Sequence, residues 1–421
     1  MISTGFASEH KRPRLLILNW RDPHHPKAGG AETLTFEWAL GWRKAGLEVT
    51  WFANAFPGSA PESWQNGIRI VRRGGPYSQS FHARMFDRRE GPFDLVVEEI
   101  NTLPFLSCLW ARDRSVLLMH QLAREVWFYE AAWGLSWFGY LMEPLYLGLY
   151  RRQPAMVLSE STRCDLEHLG FDRNRIDLLA GASDAVGDAI PRRRRTTGDF
   201  SYIYVGRLAP SKRVHDIIAA FATASRALGL LGIRTILRIV GSGPPNYERR
   251  LRSLVRRLQV GEMVEFHGWV NKWWLDDRLS DSDVLVMASV REGWGLVVTE
   301  ANSIGIPAIG YPVHGLRDSI QDGITGLLST AQNPASLSIQ MIKLASSPDL
   351  LDGLAHASLK DASLRDWNTS RKRAVEMLAL AASQLGRRGQ DNGQSTALVR
   401  SNPASALLQS HIAAAESEQV Q

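Results

Sequence analysis

The residues in this 421-residue chain whose types and spacing could do chemistry gather where apolar runs end. In Ser289-Val-Arg-Glu292-Gly-Trp-Gly295-Leu296-Val297-Val-Thr-Glu300, two carboxylates eight residues apart bracket a glycine-rich turn. A helix beginning near Leu296 would aim free N–H groups and its dipole at an anion, with Glu300 one turn in. Carboxylates beside such a site can accept sugar and ribose hydroxyls, and Glu292 could stabilise positive charge at an anomeric carbon. The same pair would also serve as a helix cap and a dipole complement. Gly206-Arg207-Leu-Ala-Pro-Ser-Lys212 places two cations in one loop. They suit a diphosphate, or are simply solvated. Gly241-Ser-Gly243 follows another apolar run, and Gly29-Gly30 precedes a helix start, where backbone N–H groups can approach an anion. No Gly-Lys-Ser/Thr follows Gly29-Gly30, so it is not a P-loop. His120 closes a further apolar run and can exchange a proton with a hydroxyl, or be a satisfied structural histidine. His314 is a weaker candidate of the same kind. His24 and His25 lack a third ligand, and Asp281-Ser-Asp283 reads as capping and turn, so no metal is expected.

The elements that must position these residues alternate. Leu15–Asn19, Val49–Ala53, Leu95–Glu98, Ser115–Met119 and Ala155–Ser159 read as strands, with a helix over Glu32–Ala45. The rhythm pauses at the small residues and proline of Gly181–Pro191 and the run Arg192–Arg195, read as an exposed linker. It restarts with strands at Ser201–Val205, Ile233–Val240, Met263–His267, Val284–Ala288 and Ile306–Tyr311, and helices at Val214–Ala227 and Tyr247–Leu258. Continuous apolar strands between helices predict two α/β halves with covered parallel sheets and a cleft between them. The expected divisions are a first domain over 1–188, a linker over 189–199, a second domain over 200–366, a terminal helix over 367–385 and a tail over 386–421 read as disordered, with room for a short helix around Ser410–Glu416.

Composition excludes other classes. Apolar residues make up 44% and charged residues 22%, an ordinary folded balance. Two cysteines, Cys108 and Cys164, rule out a disulfide framework and fit a reducing compartment. The N-terminus shows no secretory apolar run, which suggests the cytoplasm. The net charge of +6 is uneven: residues 1–190 carry −1 and residues 191–385 carry +7. Its basic residues cluster in the linker and in Arg249–Arg257, so nucleic acid is not expected as a partner. Nine aromatic residues fall between Trp127 and Tyr150, interrupted by Glu130 and Glu143. They could stack on sugars, line a lipid acceptor channel, insert at a membrane surface or form a buried helix pair.

Taken together these motifs resemble the retaining glycosyltransferases of family 4, over roughly residues 13 to 380. Glu292 to Glu300 looks like the family's Glu-x7-Glu motif, Gly206-Arg207 with Lys212 like its diphosphate clamp, and Gly29-Gly30-Ala-Glu32 like its glycine-rich loop. Gly241-Ser-Gly243 is similar to the loop lining the nucleotide pocket, and His120 to the cleft histidine beside the transferred sugar. No motif is broken. The resemblance implies a GT-B fold of two Rossmann-like domains, with Trp367 opening a helix that crosses back to the first. It also implies metal-independent, retaining transfer from a UDP- or GDP-linked sugar to a glycan, lipid-linked or small-molecule hydroxyl. Arg207 and Lys212 would bind the diphosphate, backbone N–H groups of Leu296 and Val297 would reach it, Glu300 would hold the ribose, and Glu292 the donor sugar. No cofactor is implied beyond the donor substrate. A non-catalytic nucleotide-sugar or glycan-binding module and a nucleotide-sugar epimerase stay open, as does contact with the inner face of a membrane.

Overall fold

The computed structural model describes residues 12–184, 198–391 and 403–419. The first domain is an eight-stranded sheet: β1 (Arg14–Leu18), β2 (Glu48–Ala53), β3 (Glu62–Gln65), β4 (Ile68–Arg72), β5 (Leu95–Glu99), β6 (Ser115–Met119), β7 (Ala155–Val157) and β8 (Ile176–Leu178). Their spatial order is β3-β4-β2-β1-β5-β6-β7-β8, and every pairing is parallel except β3 with β4. The second domain carries β9 (Phe200–Val205), β10 (Thr235–Val240), β11 (Val264–Gly268), β12 (Val284–Met287), β13 (Ala308–Gly310) and β14 (Gly326–Leu328). All five pairings in its order β11-β10-β9-β12-β13-β14 are parallel. Central strands such as Leu95–Glu99 are buried at every residue, because helices cover both faces. The carboxyl ends of both sheets open on a shared cleft, which is where doubly wound sheets bind ligands.

Six helices matter for the site: α1 (Gly30–Lys44), α2 (Trp133–Leu147), α3 (Val214–Leu230), α4 (Leu296–Asn302), α5 (Trp367–Asp391) and α6 (Pro403–Gln419). Along α1, Leu34, Trp38 and Trp42 repeat every four residues and are fully buried. The two indoles also receive α5: Trp38 Nε1 donates to Ser370 Oγ at 3.0 Å and Trp42 Nε1 to the Ala374 carbonyl at 2.9 Å. Gly41 is needed there, since a Cβ would lie 2.9 Å from the Arg371 backbone oxygen. α5 thus carries the chain from the second domain back onto the first.

The structure departs from the sequence reading in several places, among them the short strands β8 and β14, which that reading does not name. No strand is expected between Ala53 and Leu95, yet β3 and β4 form a hairpin whose turn, Asn66-Gly67, is left-handed at both residues (φ 48° and 78°). The tail over 386–421 is expected to be disordered apart from a short helix around Ser410–Glu416, but α5 continues to Asp391 and α6 is longer, Pro403–Gln419. Ala404 and Leu408 of α6 are fully buried, with Leu407 and Ile412 packed beside them, so a few apolar residues at helical spacing outweigh a polar average. A buried aromatic helix pair is not what Trp127–Tyr150 forms either, because most large side chains of α2 face outward. The run Arg192–Arg195 and most of the 189–199 linker lie outside the described residues.

Candidate active site

On the second-domain side, two glycine loops are laid backbone against backbone. Gly206 N–H donates to the Val240 carbonyl at 3.0 Å and Leu208 N–H to the Ser242 carbonyl at 2.9 Å. A Cβ on Gly241 would fall 1.9 Å from the Gly206 oxygen, and one on Gly243 1.9 Å from the Leu208 oxygen. Only glycine permits that approach, and the loops then form one wall. This wall bounds a cavity of about 880 Å³ that includes Gly206, Arg207, Gly241 and Gly243, with Pro26–Ala28 and Glu130 opposite. Lys27, Arg207 and Arg250 bring positive charge to it, and the exposed Trp269 an aromatic face. Such a lining suits a phosphorylated ligand with a planar base.

Lys212 and Glu292 converge behind this wall. Lys212 Nζ donates to Glu292 Oε1 at 2.5 Å, and Ser289 Oγ donates to the same oxygen at 2.6 Å. Gly295, at φ 84°, starts α4, and Gly315 lies so close to the turn that a Cβ would be 2.2 Å from the Glu292 carbonyl oxygen. Between them Trp294 reaches into the first domain's core, 2.4 Å from where a Cβ on Gly181 would stand. Leu296 does the same at Gly30, its Cδ1 lying 3.1 Å from that glycine's Cβ position. Gly29-Gly30 therefore does meet the start of α4. Gly29 N–H is held by Glu32 Oε2 at 2.7 Å. Glu300 is half-buried; burial pushes its carboxyl above the ordinary glutamate range, Lys272 pulls it down, and Asp276 and Asp184 push it up. Lys212, Glu292, Gly295, Leu296, Val297, Glu300, Gly29, Gly30 and His120 lie off the lining of the 880 Å³ cavity, whereas Arg207, Gly241 and Gly243 are on it.

The first-domain side is organised differently. His120, directly after β6, is 4% exposed. Its Nε2 lies 3.3 Å from Glu99 Oε1 and 3.1 Å from Thr35 Oγ1. Thr35 Oγ1 donates to Glu99 Oε2 at 2.7 Å, and Asn101 Nδ2 to Glu99 Oε1 at 2.9 Å. Burial alone would raise the Glu99 carboxyl, but His120, Thr35 and Asn101 outweigh it and hold it below the usual range. His120 Nδ1 is buried with no hydrogen-bond partner. The two sides meet here, since a Cβ on Gly293 would come 2.8 Å from the His120 carbonyl oxygen. Thr35 and Glu99 are absent from the sequence candidates; an acidic residue closing an otherwise apolar strand was the available signal.

Other bonds span the cleft. Arg291 binds Glu125 at 3.1 Å and Asp165 at 2.6 Å, and His314 Nδ1 is 3.1 Å from Asp165, which gives this histidine a place between domains. Ser161 N–H donates to Asp318 Oδ1 at 3.0 Å. Asp283 accepts from Ser201 N–H at 2.8 Å, a structural use. Among the described residues, no three His, Cys, Asp or Glu side chains gather as a metal set.

Two family models match the chain, glycosyl transferases group 1 over residues 188–360 and glycosyltransferase family 4 over residues 28–182. The D-inositol 3-phosphate glycosyltransferase of Streptomyces griseus is 28% identical over 190 residues, 44% of this chain and 40% of that protein. The N-acetyl-alpha-D-glucosaminyl L-malate synthase of Bacillus anthracis is 30% identical over 148 residues, 35% of this chain and 36% of that protein. The matched region thus spans well under half the length of these relatives. Anabaena HepE, solved with UDP and glucose, superposes with a TM-score of 0.68 at 17% identity, covering 88% of this chain and all of that one. Sucrose-phosphate synthase from Thermosynechococcus elongatus gives 0.68 at 20% identity, covering 91% and 100%. The solved structures establish the architecture and the family models the lineage: the chain belongs to the family 4, group 1 glycosyltransferases and has their two-domain GT-B fold.

Proposed function

We propose that this chain is a retaining, metal-independent glycosyltransferase that moves a sugar from a nucleotide-diphosphate sugar to a hydroxyl of a glycan, lipid-linked or small-molecule acceptor. The observation that carries the reading is the Lys212–Glu292 pair, 2.5 Å apart, set behind a cationic cavity one wall of which is glycine backbone. In this reading Arg207 and Lys212 hold the diphosphate, with N–H groups of Leu296 and Val297 at the start of α4 beside them. Glu300 accepts the ribose hydroxyls and Glu292 those of the donor sugar. His120, its Nε2 committed to Glu99 and Thr35 and its Nδ1 without a partner, serves the transferred sugar and acceptor in this reading. The leaving phosphate oxygen takes the acceptor proton on the face the nucleotide leaves, which retains configuration.

The fold neighbour solved with UDP supports the UDP-linked alternative of the proposed UDP- or GDP-linked donor. The names of the curated relatives support a hydroxylated small molecule as one acceptor class. Intact Glu292, Glu300 and Lys212 favour transfer over a binding module or an epimerase. The proposed compartment is the cytoplasm, with which two free cysteines agree.

A thermal-shift panel of UDP, GDP and ADP in EDTA, on wild type and Arg207→Ala, tests this reading. A nucleotide at about 100 times its Kd adds about 2.7 kcal/mol to stability. One nucleotide is expected to raise Tm in wild type, and less in the variant. No shift with any of them overturns the donor assignment.

A further inference from the structure

The helix α2 is built inside out. Its buried positions are Ser136, Gly139, Glu143 and Leu147, while Leu135, Trp137, Phe138, Leu141, Leu145 and the adjoining Leu149 are between 50% and 65% exposed. A helix on a water-facing surface shows the opposite pattern. Specific contacts fix this orientation. Glu143 is held inside because it accepts the backbone N–H groups of Ala123 at 2.6 Å and Arg124 at 2.7 Å. Gly139 makes room for the Trp127 ring, which would lie 2.4 Å from a Cβ, and Tyr146 donates its hydroxyl to the Thr102 carbonyl at 2.8 Å. Rotating the helix to hide its apolar side would bury none of these groups satisfactorily.

Charge argues what covers this face. From Ala131 to Tyr150 the sequence holds one charged residue, the buried Glu143. Arg151 and Arg152 follow at once and are both exposed, and exposed Arg112 lies beside them, its carbonyl bonded to Gln153 at 3.0 Å. An apolar face carrying tryptophan, with arginines at one end, matches the boundary between acyl chains and anionic headgroups. At 15 residues α2 is about 22 Å long, short of the roughly 30 Å hydrocarbon core, and no helix among the described residues is long and apolar enough to cross a membrane. The turn just before it, Trp127–Glu130, lines the 880 Å³ cavity through Tyr129 and Glu130. A surface covering α2 therefore lies beside the cleft mouth.

We propose that α2 docks the protein flat on an anionic bilayer, its apolar face in the headgroup–acyl boundary and Arg151 and Arg152 on lipid phosphates. The assignment holds whichever sugar is moved, and its failure leaves the nucleotide site standing. The test is flotation of the full chain with vesicles of phosphatidylcholine alone or mixed with phosphatidylglycerol. Wild type is expected to float with the anionic vesicles. Trp137→Ser/Phe138→Ser/Leu141→Ser should lower the bound fraction about tenfold or more. Arg151→Glu/Arg152→Glu should lower it at low salt, with the difference shrinking at high salt. The replaced side chains face outward, and an unchanged circular-dichroism melting curve confirms that each variant is folded. Wild type left unbound by anionic vesicles, or a triple variant floating as wild type does, overturns the proposal. So does a wild-type dimer that binds no vesicles and that the triple substitution splits, since a second copy then covers the face.

Discussion

Each wall of the cleft carries a glutamate whose proton affinity the fold has displaced, and the two move in opposite directions. Glu99, on the first-domain wall, is 1% exposed, yet its partners His120, Thr35 and Asn101 favour the charged form strongly enough to overcome burial. Glu300, on the second-domain wall, is less enclosed, but Lys272 opposes its desolvation only partly and the carboxyl is held high. One wall is thus finished, with its polar atoms mostly paired inside the protein; the other keeps a carboxylate under-satisfied and an arginine, Arg207, 55% exposed at its side chain. The difference fits a division of labour in which the first wall holds a pre-set histidine and the second waits for a ligand's hydroxyls and phosphates.

The second wall should fail most when its Lys212–Glu292 contact is cut. Lys212→Ala leaves Glu292 with Ser289 alone and removes a cation from the proposed diphosphate site. We expect kcat to fall by about 10²–10³ with the donor whose nucleotide stabilises wild type, and Lys212→Arg to recover part of it. A double Lys212→Ala/Glu292→Gln variant should lose less than the sum of the two single losses, because the pair acts as a unit. Steady-state kinetics on the four proteins decide this, and strict additivity would show that the two residues work apart.

On the first wall the expected loss is smaller. Glu99→Gln keeps a side-chain oxygen for Thr35 but removes the charge facing His120. Partners that orient a working group are typically worth about 10–100-fold. The fall should appear in kcat with donor KM unchanged, together with a displaced pH–rate profile. A drop in Tm at unchanged kcat would assign Glu99 to the core instead.

The same contrast explains what the sequence made legible. Arg207 and Lys212 share one loop, and Glu292 and Glu300 share one turn and helix, so spacing along the chain alone exposes the second wall. Thr35, Glu99 and His120 come from α1, β5 and the end of β6, and only the sheet order brings them together. The alternating strands were readable because their cores are continuously apolar, whereas β3, with exposed and half-buried residues, has no such signal. Its Asn66-Gly67 turn carried one, since asparagine and glycine tolerate φ above zero. Gly241 and Gly243 were legible as a loop, but that they are required by the carbonyls of Gly206 and Leu208 is a fact of packing. The inversion of α2 was hidden for a similar reason: apolar content predicts burial, and what is actually buried is set by Glu143 and Gly139.

The smallest effect should come from Glu300, and it separates the walls by sign. A carboxyl whose folded value is raised binds a proton that the unfolded chain has already lost. The unliganded protein is therefore destabilised slightly as pH rises from the ordinary glutamate range through the raised value. Nucleotide binding should run the other way under the proposed role of Glu300, in which ribose hydroxyls donate to the charged carboxylate; affinity would be full above the raised value and weaken on acidification, by at most about tenfold per pH unit. Glu99 has the opposite linkage: its stabilisation is present above the ordinary range and lost as pH falls through its lowered value, with no direct bearing on the nucleotide. Calorimetric titration of the stabilising nucleotide across pH, on wild type, Glu300→Gln and Lys272→Met, reads this out. The glutamine variant should bind weakly with no acid step. Lys272→Met should move the step to higher pH, since it removes the charge that holds Glu300 down. A step that persists unmoved in both variants would place the titrating group elsewhere and erase the asymmetry between the walls.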